Sequence, residues 1–567
     1  MVVSANDDDE THVSKSRQIL LVVILIVAVL ILIIRLFYLT IIQGARFQHL
    51  SQENRTREVV IPAPRGVIYD RDGTALTRNI PAFKYPDGEI VFEHKTATKS
   101  GQPVEEVARE YVFGDLFSHV LGYTGSVTED EVGKSKVDES KDTTVFRPGD
   151  TVGRMGIEAY YDKQLRGTDG KELYEVDATG QNVRILGRID PIPGDPIKLT
   201  LDRRLQDVAR SELAGKKGAV IVTIPSTGEV LSLYSSPSFD PNTFVRAENV
   251  ETLLANSDQP MFDRAIGGLY PPGSTFKIIS SIAGLESGAI KPDTQFEDVG
   301  ILRIGEFSFG NWNFLQYGKT EGWMDIVKAI TRSNDIFFYK VGEALGVTKL
   351  AEWGRKFGME KPTGIDLPGE NSGIMPDPVW RKKTLGTEWY LGDTYHISIG
   401  QGDILATPIQ VNAWTELIAN GGKLCKPHVA QSQNKTNCKD FGIKPQTINL
   451  ITKGMEGACN EGGTAYPLFN FRVPLADSRM KLTIDGEDFL DGGTASGSGQ
   501  LVNIPIACKT GTAEFGDPKN MTHAWLTAFA PVHKPQIAVT VLVESGGEGS
   551  TVAAPIAKKI FETWFGK

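Results

Sequence analysis

One apolar segment near the start of the chain determines where the rest of the chain must lie. From Ile19 to Ile42 the sequence reads ILLVVILIVAVLILIIRLFYLTII, and only Arg35 interrupts the apolar run. As a helix this segment is roughly 36 Å long, which is enough to cross the hydrocarbon core of a bilayer. We therefore expect a membrane anchor at residues 19–42, with nearly all of the remaining mass outside the bilayer.

The residues that flank this segment predict its orientation. Lys15 and Arg17 precede the run, and positive charges next to a membrane helix favour the cytoplasmic side. A cleaved signal peptide is the alternative, but the sequence QGARFQHL that follows has no small-x-small cleavage site. We expect residues 1–18 to form a cytoplasmic tail, and residues 43–567 to lie outside the cytoplasm on a chain that spans the membrane once.

Composition argues against several classes of function. The 567-residue chain has a net charge of −10 and no basic face, which argues against nucleic-acid binding. Its eight histidines form no HxxxH pair and its four cysteines lack the paired spacing of a zinc site, so no metal or other cofactor is expected. In an exported protein Cys425 could pair with Cys438 and Cys459 with Cys508, but buried free thiols fit the sequence equally well.

The pattern of apolar residues divides the exported part near residue 200. Residues 43–200 are polar, with strand-like stretches and many turns, which is typical of a mostly β module. Residues 201–567 begin with two strands at 218–236, continue with helical segments, and return to three strands at 504–544 and a closing helix. This order predicts an α+β domain whose antiparallel sheet joins both ends of the segment. Residues 476–503, rich in Gly, Ser and Asp, are expected to form a mobile insertion.

A serine and a lysine three positions apart open one of the helical segments. The sequence YPPGSTFKIIS places Ser274 behind two prolines and a glycine, at the head of an apolar helix that puts Lys277 on the same face. The same S-x-x-K spacing recurs at Ser432 and Ser478, but in polar loop sequence. The alternative to a nucleophile with its base is a serine that caps the helix beside a solvated lysine.

Two later motifs favour the catalytic interpretation. TRSNDIFFY supplies Ser333 and Asp335 at the start of another helix, and ACKTGTAEFG supplies Lys509, Thr510 and Gly511 in a strand-like stretch. Each motif alone is an ordinary helix cap or strand end. In this order, however, S-x-x-K, S-x-N/D and K-T-G form a signature of serine acyltransferases.

The chemistry of a serine nucleophile explains these residue types. An unassisted serine is a poor nucleophile and needs a base. Lys277 can take the proton of Ser274 if burial and a neighbouring cation such as Lys509 lower the lysine pKa. Ser333 would then serve as a proton relay.

Beyond these motifs, the sequence resembles class B penicillin-binding proteins of the elongation type along nearly the whole chain. Before residue 200, PAPRGVIYDRDG is similar to the start of the family's pedestal module, and REYVFGDLFSHVLGYTG and MGIEAYYDKQLRGTDG are similar to its later segments. After residue 200, SSPSFDPN, YPPGSTFK, SIGQGDILATPIQ, GGTA, KTGTAEFG and HAWLTAFAP resemble family blocks in family order. The matching residues of the first pedestal segment are Arg65, Gly66, Asp70, Arg71 and Gly73.

This resemblance implies a penicillin-binding serine-transpeptidase fold on a pedestal, with an antiparallel sheet flanked by helices and an all-helical lobe. It implies a D,D-transpeptidase that cross-links peptidoglycan, in which Ser274 forms the acyl-enzyme from D-Ala-D-Ala stem peptides and β-lactams bind covalently. The backbone N–H groups of Ser274 and Thr512 would form the oxyanion hole, and Lys509 and Thr510 would hold the donor's terminal carboxylate. The implied partners are the membrane, peptidoglycan stem peptides, a SEDS-type glycosyltransferase and other elongation-complex proteins.

The chain departs from the family pattern at two places. Residues 79–106 are too few for the usual upper part of the pedestal, through which family members contact other elongation proteins. Asp335 stands where most relatives have Asn, and this variant is familiar in elongation-type members.

Four other functions share part of the pattern. A serine β-lactamase would use the same serine but hydrolyse the acyl-enzyme, and it needs neither an anchor nor a pedestal. A D,D-carboxypeptidase is usually anchored at its C-terminus, for which FETWFGK is too short. A non-enzymatic scaffold would tolerate a broken motif, and none of the three is broken. A bifunctional polymerase would need a glycosyltransferase domain before residue 200, where there is neither room nor a motif.

Overall fold

The structure, a computed structural model, forms two compact units. One unit consists of Met1–Ala63 and Thr168–Pro193, and the other of Pro64–Gly167 and Gly194–Lys567. The residues described are 15–44, 55–84, 90–92, 104–135, 146–177, 179, 181–431, 437–474, 483–484, 487–488 and 501–566. The S-x-x-K copies at Ser432 and Ser478, and most of the expected insertion at 476–503, lie outside these ranges.

The first unit contains an apolar helix and a three-stranded sheet. The helix Lys15–Phe37 continues as a π-helical segment, Tyr38–Ile42. Within the described residues, Arg17–Ile42 is the one helical stretch long and apolar enough to span a membrane, with a mean hydropathy of 3.5 over its most apolar 18 residues. The expected apolar helix is therefore confirmed. The antiparallel sheet has the strand order Thr56–Ile61, Gly170–Val176, Asn182–Ile189.

The part of the second unit that precedes residue 200 is rich in short strands, as its sequence predicts. The strands are Ile68–Tyr69, Thr77–Lys84, Ile90–Val91, Val104–Tyr111, Thr124–Ser126, Thr151–Gly153 and Ile197–Lys198. The helices are Gly114–Phe117 (3-10), Ser118–Leu121, Glu129–Ser135, Gly156–Tyr160 and Asp162–Arg166. Apolar side chains of this part share one core with β-strand and loop residues that follow residue 200, among them Leu201, Ile221 and Leu233.

A five-stranded antiparallel sheet forms the centre of the second unit. Its strands, in chain order, are β1 (Gly218–Ile224), β2 (Glu229–Ser236), β3 (Ala507–Glu514), β4 (Thr522–Ala530) and β5 (Ile537–Val543). They lie in the order β2-β1-β5-β4-β3. The pairing of β1 with β5 joins the two ends of the segment, which confirms the predicted α+β topology. In this strand order β3 lies at the edge of the sheet.

Helices cover both faces of this sheet, which explains why its strands are apolar on both sides. On one face Leu526 and Val541 share a core with Leu205 and Phe561, from the helices Arg203–Glu212 and Ala554–Phe565. On the other face Trp525 and its neighbours pack against a helical lobe. The helices between β2 and β3 are Asn242–Arg246, Val250–Leu254, Gly273–Phe276 (3-10), Lys277–Glu286, Trp312–Tyr317, Ile326–Arg332, Asp335–Leu345, Val347–Lys356, Pro378–Leu385, Leu391–Ser398, Pro408–Ala419, Pro445–Ala458 and Tyr466–Leu468 (3-10).

Short strand pairs and one π-helical segment complete the second unit. The strands are Phe296–Asp298, Ile301–Ile304, Phe307–Gly310, Gly322–Met324, Lys423–Cys425, Cys438–Asp440, Arg472–Pro474, Thr483–Ile484, Glu487–Asp488 and Leu501–Asn503. The π-helical segment Gly549–Ala553 leads into the last helix.

Both cysteine pairs are disulfide-bonded. Cys425–Cys438 links the two short strands that contain these residues, and the two cysteines are also register partners. Cys459–Cys508 links the end of the helix Pro445–Ala458 to β3. The structure thus selects the bridged alternative that the sequence left open.

Candidate active site

Ser274 lies in a tight turn that leads into an α-helix. The 3-10 turn Gly273–Phe276 contains the serine, and the α-helix itself begins at Lys277 and ends at Glu286; we call this stretch, 273–286, the serine helix. Residues three apart eclipse in 3-10 geometry, so Ser274 and Lys277 share a face. The φ of Gly273 is +53°, and a side chain there would meet Ala513 Cβ and Thr512 O at 3.2 Å, so the turn requires glycine.

Lys277 is fully buried and bonds to the second motif. Its Nζ donates to Asp335 Oδ1 at 2.6 Å and to Ser333 O at 2.8 Å, with Ser333 Oγ at 3.4 Å. Burial lowers the pKa of Lys277, whereas the Asp335 carboxylate acts in the opposite direction. The basicity of this amine is therefore set by the balance between burial and one carboxylate.

The second motif occupies the junction of two helices. Ser333 follows the helix Ile326–Arg332 and has a left-handed backbone, with φ of +54°. Asn334 caps the next helix by accepting a hydrogen bond from Phe337 N at 2.9 Å. This junction directs Asp335 toward Lys277, and Asp335 Oδ2 accepts from Trp312 N at 3.0 Å. Both carboxylate oxygens are thus fixed.

The third motif lies on the edge strand β3. Lys509 is fully buried, and its Nζ donates to Ser333 Oγ at 2.8 Å and to Thr510 O at 2.9 Å. Burial, together with the nearby Lys277 charge, holds the pKa of Lys509 well below its usual value. Gly511 allows β3 to approach the serine helix, because a side chain there would meet Pro272 O and Thr275 Cγ2 at 3.3 Å.

Thr512 presents its backbone at the free edge of β3. Its carbonyl accepts a hydrogen bond from Gln401 Nε2 at 3.3 Å, on the side away from β4. In an antiparallel strand the N–H and C=O of one residue point to the same side. The Thr512 N–H therefore also faces the free edge, where it is available as an oxyanion donor.

The structure brings the residues of all three motifs together. Lys277, Ser333, Asp335 and Lys509 form one buried hydrogen-bonded cluster, and Ser274 lies one turn from Lys277.

Sequence reasoning missed three contributors: Trp312, Gln401 and Thr464, whose Oγ1 lies 2.7 Å from Thr510 Oγ1. The blocks SIGQGDILATPIQ and GGTA contain Gln401 and Thr464, but the sequence pattern alone indicates no role for either residue. In the described part of the chain, no group of three or more His, Cys, Asp or Glu side chains is suited to hold a metal ion.

The pedestal residues form a second cluster, around a buried carboxylate. Arg65 Nε donates to Glu158 Oε2, and its Nη2 donates to Asp162 Oδ1 at 2.8 Å. Arg109 Nε donates to the other Glu158 oxygen at 2.7 Å. Glu158 is fully buried. The three pedestal segments identified in the sequence therefore converge on one side chain.

The remaining pedestal residues shape the loop that follows Arg65. A side chain at Gly66 would lie 2.1 Å from Asp195 O, which excludes any other residue at this position. Asp70 Oδ1 accepts from Asp72 N and Thr74 N, and Gly73 has a φ of +88° in the same turn. The Arg71 guanidinium lies over the Trp564 ring, 5.8 Å from its centroid.

The fold and the order of the three motifs define a serine acyltransferase of the penicillin-binding class. The family model "Penicillin binding protein transpeptidase domain" matches residues 218–562, and "Penicillin-binding Protein dimerisation domain" matches residues 87–199. The chain is 33% identical to "Peptidoglycan D,D-transpeptidase MrdA" of Acinetobacter baumannii, across 94% of this chain and 84% of that protein. The chain belongs to the class B penicillin-binding proteins of the elongation type, a family of serine-type peptidoglycan D,D-transpeptidases.

Two solved structures show the same fold. The complex between penicillin-binding protein PBP2 and MreC from Helicobacter pylori has a chain 29% identical to this one, with a TM-score of 0.71, covering 89% of this chain and 99% of that one. A chain from "Structural coordination of polymerization and crosslinking by a peptidoglycan synthase complex" is 26% identical, with a TM-score of 0.72, covering 98% of this chain and 99% of that one.

Proposed function

We propose that Ser274 is the nucleophile with which this D,D-transpeptidase forms an acyl-enzyme from D-Ala-D-Ala stem peptides. The observation that carries the proposal is the buried cluster of Lys277, Ser333, Asp335 and Lys509 beside the serine turn. A structural helix cap needs no such cluster, because burying two lysines costs free energy that only a paired or functional arrangement offsets.

The reaction follows from the positions of these groups. Neutral Lys277 takes the proton of Ser274 Oγ, which attacks the carbonyl carbon of the penultimate D-Ala. The C–N bond to the terminal D-Ala then breaks, and the leaving amine takes a proton from Lys277 through Ser333. An acceptor amine next attacks the acyl carbon, and the proton that this amine loses returns to Ser274. The products are a new amide cross-link and the free serine.

The edge of β3 supplies the donor's binding groups. Lys509 and the Thr510 hydroxyl, which Thr464 orients, hold the terminal carboxylate, and Gly511 leaves room for the donor beside the strand. The N–H groups of Ser274 and Thr512 stabilise the oxyanion. A β-lactam presents a carboxylate and a reactive carbonyl to the same groups, so penicillin acylates Ser274 as well.

We further propose that this site lies outside the cytoplasm, because Lys15 and Arg17 before the apolar helix favour a cytoplasmic N-terminus. We assign residues 1–18 to a cytoplasmic tail, 19–42 to a single-pass anchor, 43–200 to the pedestal and 201–567 to the transpeptidase domain, an organisation that the positive-inside rule and the composition of the sequence support. The pedestal residues Arg65, Gly66, Asp70, Arg71 and Gly73 serve a structural role.

Cross-linking during elongation requires partners that polymerise glycan strands. The solved relatives are described with MreC and within a peptidoglycan synthase complex. By analogy, this chain works with elongation-complex proteins and with a SEDS-type glycosyltransferase in the membrane.

Mass spectrometry of the full-length chain in detergent, after incubation with a labelled penicillin, tests the assignment. The label is expected on Ser274 and absent from the Ser274→Ala variant. Ser432→Ala, which removes the serine of another S-x-x-K copy, serves as the matched control and keeps the label. Label on any other serine would contradict the assignment. Release of the label within seconds would indicate a β-lactamase.

A further inference from the structure

A large open cavity begins where β3 passes the serine turn. Its volume is about 940 Å³, and its lining includes Pro271, Gln401, Glu514, Phe515 and His523. Gln401 also bonds to Thr512 O, so the cavity starts directly beside the candidate oxyanion donor. The cavity leads away from Lys509 and Thr510, along the direction in which β3 continues.

Most charged groups that line this cavity already have partners. Glu544 accepts from Arg264 Nε at 2.8 Å and from the Tyr270 hydroxyl at 2.7 Å. Lys217 pairs with Asp258 at 2.8 Å, and Asp403 lies 3.5 Å from an Arg381 nitrogen. Among the residues that the structure describes, Glu514 has no ion-pair partner, and its side chain is exposed. One uncompensated negative charge is thus available to a ligand.

Glu514 belongs to the same row of β3 as the donor-binding residues. Side chains alternate between the two faces of a strand, so those of Thr510, Thr512 and Glu514 leave β3 on one side. Thr510 is buried, whereas Thr512 and Glu514 are exposed. Glu514 lies two positions beyond Thr512, roughly 7 Å further along the strand. A peptide whose scissile carbonyl lies at Thr512 and whose carboxylate lies at Thr510 must run from there toward Glu514.

The next donor residue in that direction is the third residue of the stem peptide. Its Cα lies about 3.8 Å from that of the acyl-donating D-Ala. A long side chain on this residue extends toward the cavity within reach of Glu514. A carboxylate that has no ion-pair partner favours a cationic group at the end of this side chain. A charge-assisted hydrogen bond is stronger than one between neutral groups.

We propose that Glu514 is a specificity-determining residue that recognises the side-chain ammonium group of the third stem residue of the donor. The inference rests on the proposed function of Ser274. Lysine and diaminopimelate both supply this ammonium group, and the cavity behind Glu514 has room for the additional carboxylate of diaminopimelate.

Three synthetic donors test the proposal on the full-length chain in detergent. They have the form acetyl-X-D-Ala-D-Ala, in which X is L-lysine, meso-diaminopimelate or L-norleucine, which lacks the amine. The kcat/KM for D-Ala release is expected to be about tenfold higher with either amine donor than with norleucine, the effect of one charge-assisted contact. Glu514→Gln should remove this preference and leave the norleucine rate and the rate of penicillin acylation unchanged. The ratio of the lysine rate to the diaminopimelate rate identifies the preferred source of the ammonium group.

A matched variant and three outcomes decide the result. Glu548→Gln neutralises another exposed glutamate that does not line the cavity, and it should keep the preference for amine donors. The proposal fails if the wild type shows no preference, if Glu514→Gln keeps it, or if only transfer to an acceptor amine changes. Normal penicillin labelling of Ser274 without an amine preference would overturn this inference alone, whereas absent labelling would overturn the proposed function.

Discussion

Two buried amines share one carboxylate in the candidate site. Asp335 bonds directly to Lys277, whereas Lys509 donates to Ser333 and to a backbone carbonyl. Burial lowers the pKa of both lysines; the Lys277 charge lowers the pKa of Lys509 as well, whereas the Asp335 carboxylate raises the pKa of Lys277. Asp335 therefore decides how much of Lys277 is in the neutral form that can accept a proton.

Asp335→Asn should keep substantial penicillin acylation and move its pH dependence downward. The ionised carboxylate stabilises the Lys277 cation and so raises the pKa of this lysine. An amide keeps most of the hydrogen bonds but not the charge, so neutral Lys277 forms at a lower pH and the rising limb of the rate profile shifts to lower pH. A pH series of acylation rates measures the shift.

The Asp335→Leu variant is the control for hydrogen bonding. It removes the bonds to Lys277 and to Trp312 N together with the charge, so acylation should fall far more than in the asparagine variant. An asparagine variant that behaves like the leucine variant, or whose profile moves upward, would show that Asp335 acts differently.

At the scale of elements, the pedestal depends on an ion-pair cluster that connects three separate segments. Arg65 precedes the strand Ile68–Tyr69, Arg109 belongs to the strand Val104–Tyr111, and Glu158 belongs to the helix Gly156–Tyr160. Both carboxylate oxygens of Glu158 accept from these arginines. Removal of one partner from a buried ion pair leaves an uncompensated charge.

Glu158→Gln should lower the free energy of unfolding by about 3–5 kcal/mol, because two buried arginines lose their shared counter-charge. Glu110→Gln is the matched control in the same strand as Arg109: it breaks the exposed Arg78–Glu110 pair and should cost less than about 1 kcal/mol. Chemical denaturation of the two variants compares the losses. Similar losses in both would contradict a structural role for the Glu158 cluster.

Element types were well predicted from the sequence because the apolar periodicity of β1, β5 and the serine helix is strong. The joining of the two ends of the segment in one sheet also followed, since the long apolar strands occur near those ends, whereas the short strand pairs between them, such as Ile301–Ile304 with Phe307–Gly310, were not predicted. Two features could not be predicted. The 3-10 turn at Ser274 arises from the close approach of Thr512 and Ala513 to Gly273, which is a tertiary contact. The role of Gln401 depends on hydrogen bonding to a backbone carbonyl 111 positions away in sequence.

For the whole molecule, the disulfide Cys459–Cys508 connects the helical lobe to the edge of the central sheet. Its loop spans 49 positions, against 13 for Cys425–Cys438. The loss of closure entropy in the unfolded chain grows with loop length, which gives about 4 kcal/mol for the longer loop and about 3 kcal/mol for the shorter one.

Replacing Cys459 and Cys508 by alanine should therefore destabilise the protein more than the same change at Cys425 and Cys438. Denaturant unfolding of the two double variants measures the difference, and thiol alkylation after denaturation checks that the unmodified protein has no reactive cysteine. Four alkylated cysteines under oxidising conditions would exclude both bridges. A larger loss from the shorter loop would contradict the entropic argument.

The pairing of β1 with β5 has a consequence for how the protein is made. In the proposed topology the segments that follow the anchor cross the membrane in chain order, so the β1–β2 hairpin and the serine helix emerge long before β3, β4 and β5. Until then β1 has an unpaired edge, which is a site for aggregation. Lys509 and Thr512 arrive on one of the last strands, so the oxyanion site and the lysine cluster do not exist on a partly exported chain. We therefore expect a nascent chain in this topology to be insensitive to β-lactams until nearly all of it has crossed the membrane.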